Sequence, residues 1–144
     1  MKVMPGIFSG DVHVTGEFTN PSDIKLKENI QPVGSVLGKL KQLQAKSFNY
    51  KRNDPRYKPM NLASGKRVGF IAQNMEKLFP ELVSEDAFID PEAPGAEKAG
   101  EEPEPIKYKS INYIELIPVL VQAIQEQQQE IEALKQEINQ GKNR

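Results

Sequence analysis

The chain contains no cysteine, no tryptophan and a single histidine, His13. Without cysteine there can be no disulfides, no thiol catalysis and no cysteine-based metal site. One histidine also leaves little basis for a histidine-ligated metal or a catalytic triad. Since His13 falls in an alternating segment, we interpret it as a strand side chain, and we expect no metal and no cofactor.

Long apolar runs and an excess charge of either sign are also absent. No run approaches the ~18 residues of a membrane span, and the N-terminus lacks the apolar stretch of a signal peptide. There are 19 basic and 20 acidic residues, which gives no electrostatic reason to expect nucleic acid or an anionic membrane as a partner. We expect the chain to stay in the cytosol, unless it travels in an assembled particle.

The length of 144 residues allows one domain and an appendage. Hydrophobic residues make up 38% and charged residues 27%, so the core is expected to be modest and the surface large. These proportions favour an elongated or oligomeric molecule over a compact monomer.

The first 21 residues alternate apolar and polar side chains between glycines, which is typical of β-structure. Val12, Val14 and Phe18 form the apolar set. Twenty residues cannot bury this face alone, so other chains must cover it, or the segment is the end of a longer β-structure.

The middle of the chain predicts a small α+β unit over residues 22–113. Residues 54–66 are polar and contain two prolines, which indicates a loop. Residues 84–105 are acidic and proline-rich, and predict an exposed, mobile insertion. The predicted elements are a helix from Pro32 to Gln44, a strand over Lys46–Lys51, a strand over Val68–Ala72, a helix over Gln73–Phe79 that Pro80 ends, and a strand over Tyr108–Tyr113.

Residues 114–140 carry a heptad repeat and predict a coiled-coil helix. The alternative is a surface helix packed on its own domain, but residues 125–139 are almost entirely polar outside one narrow seam. The repeat therefore predicts self-association and leaves the number of chains open. The seam consists of Ile117, Leu120, Ile124, Gln127, Ile131, Leu134 and Ile138.

The stretch SDIKLKENI, from Ser22 to Ile30, lies where the alternating pattern ends. It places a serine hydroxyl near two lysines, and a neutral lysine in a desolvated site can act as general base for a serine. The alternative is an ordinary loop and helix cap, because Pro-Ser-Asp is common in such positions.

Four sequence blocks follow one another in a characteristic order: SDIKLKENI, KSFNYK, VGFIAQNMEKLFPELV and the final YKSINYIELIPVLVQAIQEQQQEIEALKQEI. In this order they closely resemble the C-terminal intramolecular chaperone domain of phage endosialidases and tail fibres. That domain also occurs in the myelin regulatory factor. The resemblance runs from about Ser22 to Ile138, and GDVHVTGEFTNP before it looks like the last shaft repeats of such fibres.

The resemblance implies a homotrimer with a β-shaft remnant at residues 1–21, an α/β head and a coiled coil. Such a domain holds three fibre ends together while the shaft winds, then cuts itself off through a serine–lysine dyad. By motif position the nucleophile is Ser22 and the base is Lys27. It would act in the host cytoplasm during assembly, or stay on the virion tail fibre if retained.

Chemistry constrains the cut at Pro21, Ser22 and Asp23. Attack of the Ser22 hydroxyl on the carbonyl of Pro21 passes through a five-membered ring and gives an ester. Cleavage of Ser22–Asp23 would instead require another subunit or water, so the exact bond stays open. Lys27 must be neutral to take the proton, which burial or a neighbouring cation favours.

Asn29 is a candidate oxyanion donor, with a turn or cap role as the alternative. Since only 21 residues precede Ser22, the fibre client is expected to be absent or on another polypeptide. The chain is then either an excised fragment or a small standalone protein that acts as a permanent trimeric cap. Two functions follow as hypotheses: an autoproteolytic chaperone, or a trimeric capping module at a fibre tip that does not cleave.

Overall fold

The computed structural model describes residues 12–93 and 103–144. Over these ranges the chain is mixed α+β with small sheets and a long C-terminal helix, which confirms the α+β class and the long helix of the prediction. The coiled coil and the homotrimer stay predictions. The helices are α1 (Leu37–Leu40), α2 (Ala72–Leu78) and α3 (Leu116–Lys142), and the strands are β1 (Lys46–Phe48), β2 (Arg67–Gly69), β3 (Val83–Phe88) and β4 (Ile106–Ile111).

The strands form two two-stranded sheets. In the first, β1 and β2 run antiparallel, and Ser47 lies opposite Val68. In the second, β3 pairs with β4. Phe48 and Tyr50, predicted to lie on one side of a strand, form an edge-to-face pair with ring centroids 5.2 Å apart.

The chain divides into two compact units. Among the described residues, the first unit comprises 12–28, 46–69, 85–93 and 103–108, and the second comprises 29–45, 70–84 and 109–144. The core of the second unit is formed by α1, α2, the turn after α2 and the first half of α3. Its buried residues are Val36, Leu37, Met75, Phe79, Leu82, Leu116, Val119 and Ala123.

Local chemistry explains the ends of α2 and α3. Pro80 ends α2 as predicted and begins a 3-10 turn over Pro80–Leu82. Before α3, the side-chain oxygen of Asn112 accepts hydrogen bonds from two backbone N–H groups, at Ile114 and Glu115, both at 3.2 Å. No helix within residues 12–93 and 103–144 is long and apolar enough to cross a bilayer.

The predicted helix from Pro32 to Gln44 is wrong in extent, because α1 covers only Leu37–Leu40. Gly34 adopts a φ of 78°, a left-handed conformation that interrupts a helix. After α1, Leu43 donates its N–H to the carbonyl of Leu40, a 3-10 bond that tightens the chain before β1.

The predicted insertion over residues 84–105 is also wrong at its start, since β3 extends to Phe88. This strand is stabilised by backbone pairing with β4 and by the burial of Phe88. The acidic composition of the segment indicates neither contact. Residues 94–102 lie outside the described residues.

The alternating segment forms no strand over residues 12–21, and Val12, Val14 and Phe18 are exposed. The physical reason is that a strand needs a pairing partner, and none of the described residues pairs with this segment. The rest of the predicted shaft remnant, residues 1–11, lies outside the described residues.

Candidate active site

A 3-10 turn over Ile24–Leu26 shapes the segment that contains Ser22. Asp23 begins the turn, and its Oδ1 accepts the N–H of Lys25 at 3.0 Å. The turn closes where the N–H of Lys27 donates to the carbonyl of Ile24 at 3.1 Å. This local reversal decides which side chains can reach Ser22.

The structure brings Ser22 and Lys27 into direct contact. The Nζ of Lys27 donates a hydrogen bond to the Oγ of Ser22 at 2.8 Å. Five residues separate the pair, a spacing that neither a helix nor a strand places on one face. The 3-10 turn followed by an extended Lys27 (φ −120°, ψ 145°) supplies the proximity instead. The distance is within the range for proton transfer between a base and a nucleophile.

Lys25 is held away from this contact by an ion pair. Its Nζ lies 3.1 Å from Oδ2 of Asp23, and the two side chains are 75% and 48% exposed. Hydrogen bonds from the backbone and side chain of Lys25 lower the pKa of Asp23 below its ordinary value. The positive charge of Lys25, a neighbouring cation of Lys27 in the sequence, is therefore offset by a carboxylate.

Solvent reaches every residue of this segment in the single chain. Pro21, Ser22, Asp23 and Lys27 are exposed. Apolar side chains around them are exposed too, and Ile24 reaches 74%. The single chain therefore does not provide the desolvation expected around a lysine that acts as a base.

Asn29 adopts a φ of 52°, a left-handed conformation that asparagine tolerates better than most residues. This conformation is typical of a turn residue, the alternative raised for it from the sequence. Its role as an oxyanion donor stays a prediction.

Helix α3 carries two apolar stripes that face different directions. Leu116, Val119 and Ala123 are buried in the core of the second unit. The predicted seam is exposed along its whole length, from Ile117 to Ile138, and Ile124 is 64% exposed. At 100° per residue, the two stripes lie about 100° apart around the helix axis. The packing of α3 on its own unit therefore leaves the seam uncovered.

Glu126 is a structural residue that the sequence patterns did not indicate. Its carboxylate accepts backbone N–H groups of Val36 at 2.8 Å and Leu37 at 3.1 Å, and the hydroxyl of Ser35 at 3.0 Å. These bonds, led by the one from Val36, lower the pKa of Glu126. The carboxylate thereby caps α1 from a helix some ninety residues away in sequence, which no local pattern reveals.

Residues 12–93 and 103–144 were also expected to hold no metal, and they contain an open groove. Nowhere in these ranges do three or more potential metal ligands lie together. An open groove of about 790 Å³ in the first unit is lined mainly by apolar residues and prolines, among them Pro55, Pro59 and Phe88. It contains no nucleophile and base in contact.

Comparison with known proteins matches the segment that begins at the serine–lysine pair. Residues 22–84 match the family model described as the chaperone of endosialidase. The resemblance recognised from the sequence is therefore confirmed over residues 22–84, which we call the chaperone segment.

Two curated proteins show weaker similarity. An uncharacterized protein of Dictyostelium discoideum is 33% identical over 67 residues, which is 46% of this chain and 6% of that protein. Myelin regulatory factor homolog 1 of Caenorhabditis elegans is 30% identical over 77 residues, which is 52% of this chain and 8% of that protein. The chain thus spans less than a tenth of the length of either relative.

Proposed function

We propose that this chain is an intramolecular chaperone that assembles as a homotrimer, registers the ends of a phage tail fibre or tailspike, and releases itself by autoproteolysis at Ser22. The observation that carries the proposal is the 2.8 Å contact between Lys27 Nζ and Ser22 Oγ inside a segment similar to the chaperone of endosialidase. The upstream shaft is the folding client. The protein would work in the host cytoplasm during assembly and stay on the virion if retained.

The chemistry begins when neutral Lys27 takes the proton of the Ser22 hydroxyl. The Oγ attacks the carbonyl carbon of Pro21 and forms a C–O bond, and the C–N bond to Ser22 breaks as its nitrogen takes the proton back from the lysine. Water then hydrolyses the ester, which leaves a carboxylate on Pro21 and a free amine on Ser22. Cleavage of Ser22–Asp23 remains the alternative if the attacking group comes from another subunit or from water.

Assembly supplies what the single chain lacks. The exposed seam of α3 is suited to pair with copies of itself, because its seven residues point away from the core of the second unit. A trimer would raise the effective concentration of the three shaft ends and lower the entropy cost of starting a trimeric β-structure. Burial of Lys27 on assembly would favour its neutral form, so that scission waits for correct folding.

The exposure of the pair favours a second candidate, a trimeric cap that never cleaves. A charged lysine that donates to a serine hydroxyl in water has a structural role only. In that case the segment would serve as a turn that connects shaft and head.

Intact mass spectrometry of the freshly purified chain separates the two functions. The autoproteolytic function predicts a product that begins at Ser22 or at Asp23, and the first residue of the product identifies the bond. Ser22→Ala and Lys27→Ala should each abolish the product. Ser64→Ala and Lys66→Ala are matched controls at exposed positions, and should still be cut. A trimer whose chains stay intact for days would exclude scission and leave the capping function.

A further inference from the structure

Two lysines lie close to Ser22 along the sequence of the chaperone segment. Lys25 lies three residues after Ser22 and Lys27 lies five. Both side chains are long and flexible, so either amine could approach the hydroxyl if nothing else held it. Among the lysines of the described residues, the one whose amine hydrogen-bonds Ser22 is Lys27.

Asp23 engages Lys25 twice. Its Oδ1 accepts the backbone N–H of Lys25 at 3.0 Å, and its Oδ2 lies 3.1 Å from the amine of the same residue. One carboxylate therefore fixes both the turn and the direction of the side chain. The hydrogen bonds from Lys25 lower the pKa of Asp23, so the carboxylate stays ionised to a lower pH than that of an unpaired aspartate.

We infer that Asp23 is a positioning residue for the proposed scission. Its carboxylate binds the amine of Lys25 and keeps that amine away from Ser22, so that Lys27 acts as the base. This inference rests on the proposed function. The carboxylate acts through Lys25 and through the turn, without touching the serine hydroxyl.

The ion pair also keeps the carboxylate from stabilising a charged Lys27. The charged groups along the segment next to Lys27 are Asp23, Lys25 and Glu28, and Lys27 takes part in none of the ion pairs within residues 12–93 and 103–144. Because Asp23 is paired with Lys25, its carboxylate is already engaged. An ammonium on Lys27 therefore gains less from Asp23 than it would beside an unpaired carboxylate.

The first test asks which lysine can serve as base. Lys27→Ala should be uncut. Adding Asp23→Asn keeps an oxygen that can cap the turn but releases Lys25, so the double variant should regain slow scission. A further Lys25→Met should remove it again. If the double variant stays uncut while Asp23→Asn alone is cut at the wild-type rate, Asp23 does not withhold Lys25.

The second test is the pH dependence of the scission rate. In Asp23→Asn the positive charge of Lys25 is no longer offset, so the midpoint of the rate should fall. In Lys25→Met the unpaired carboxylate should raise it by a similar amount, and the double variant should return close to the wild type. A merely structural role would change the rate without moving the midpoint. Loss of all scission in Asp23→Asn would instead give the carboxylate a direct part and overturn the positioning role.

A third readout separates this inference from the proposed function. In the uncut Ser22→Ala chain, the NMR signal of the Lys25 amide should shift as Asp23 titrates, with a midpoint below the usual carboxyl range. If the wild type is never cut but this shift is seen, the proposed function fails while the hold of Asp23 on Lys25 stands. An amide that does not respond to Asp23 would contradict the inference, whatever the scission result.

Discussion

At the scale of single residues, Glu126 ties α3 to the start of α1. Its carboxylate accepts two backbone N–H groups and a hydroxyl, and each of these bonds is strongest when the carboxylate is charged. Helix α1 is only four residues long and has no side-chain cap from its own first residues. Its start therefore depends on a group supplied from another element.

We predict that Glu126→Gln makes the chain less stable at neutral pH and flattens its loss of stability in acid. The pKa of Glu126 is lowered in the folded state, so its contribution is present above the unfolded value near pH 4.5 and is lost as pH falls through the folded value. Thermal unfolding between pH 7 and pH 3 measures the difference. Glu130→Gln, at an exposed position on the same helix, is the control. Equal pH profiles for the two variants would contradict the role of Glu126.

Phe79 is the second residue on which the second unit depends. Its side chain is 1% exposed, and it lies in the core with Met75 under the amine of Lys39, which is 5.3 Å from the ring centroid. We predict that Phe79→Ala lowers the free energy of unfolding by about 3–5 kcal/mol. Urea unfolding measures the change. Phe18→Ala, at a position 69% exposed, should change it by less than about 0.5 kcal/mol. A small effect at Phe79 would mean that the core is misplaced.

The Ser22–Lys27 contact shows where prediction from residues stops. Spacing alone does not select Lys27 over Lys25, and the family resemblance indicated Lys27. The contact depends on a short 3-10 turn that Asp23 caps, and such a turn leaves no periodic pattern in the sequence. Ser22 could be proposed as the nucleophile from its motif, whereas its partner amine could not be derived from spacing.

At the scale of elements, α3 has two distinct tasks. Near its start, one stripe of α3 packs into the core of the second unit. The seam lies beside this stripe and is exposed to solvent along the whole helix. The heptad repeat predicted a coiled coil, with a helix packed on its own domain as the alternative. The structure shows that the packed stripe exists and that it is separate from the seam.

We predict that Ile124→Asp converts the proposed trimer to monomer. Ile124 is exposed in the single chain, so the substitution leaves the core of the second unit intact but places a charge in the seam. Light scattering after size exclusion measures the molar mass, and circular dichroism checks that the chain still folds. Gln129→Asp adds the same charge outside the seam, and should leave the trimer intact. A folded Ile124→Asp trimer would show that α3 does not mediate assembly.

The elements that the sequence predicted well are those with long or complete local signals. Helix α3 has a sustained repeat, and α2 has an apolar face followed by Pro80. Helix α1 is shorter than predicted because Gly34 interrupts it and Glu126 caps it from afar. Strand β3 was missed because pairing with β4, rather than its own composition, defines it.

At the scale of the whole molecule, the proposal joins three features that the single chain leaves incomplete. The seam of α3 is uncovered, the Ser22–Lys27 pair is exposed, and residues 12–21 form no strand with any of the residues that the structure describes. Assembly of three chains would supply each missing contact at once. Scission would then report that the shaft end and the chaperone segments have come together.

The most direct measurement is the rate of scission against chain concentration, followed by mass spectrometry as urea-unfolded chains refold. If assembly creates the active site, scission should be absent at concentrations where light scattering finds monomers, rise steeply as trimers form, and then level off. A first-order rate that is the same at every concentration, monomers included, would show that one chain cuts itself unaided and would contradict the account.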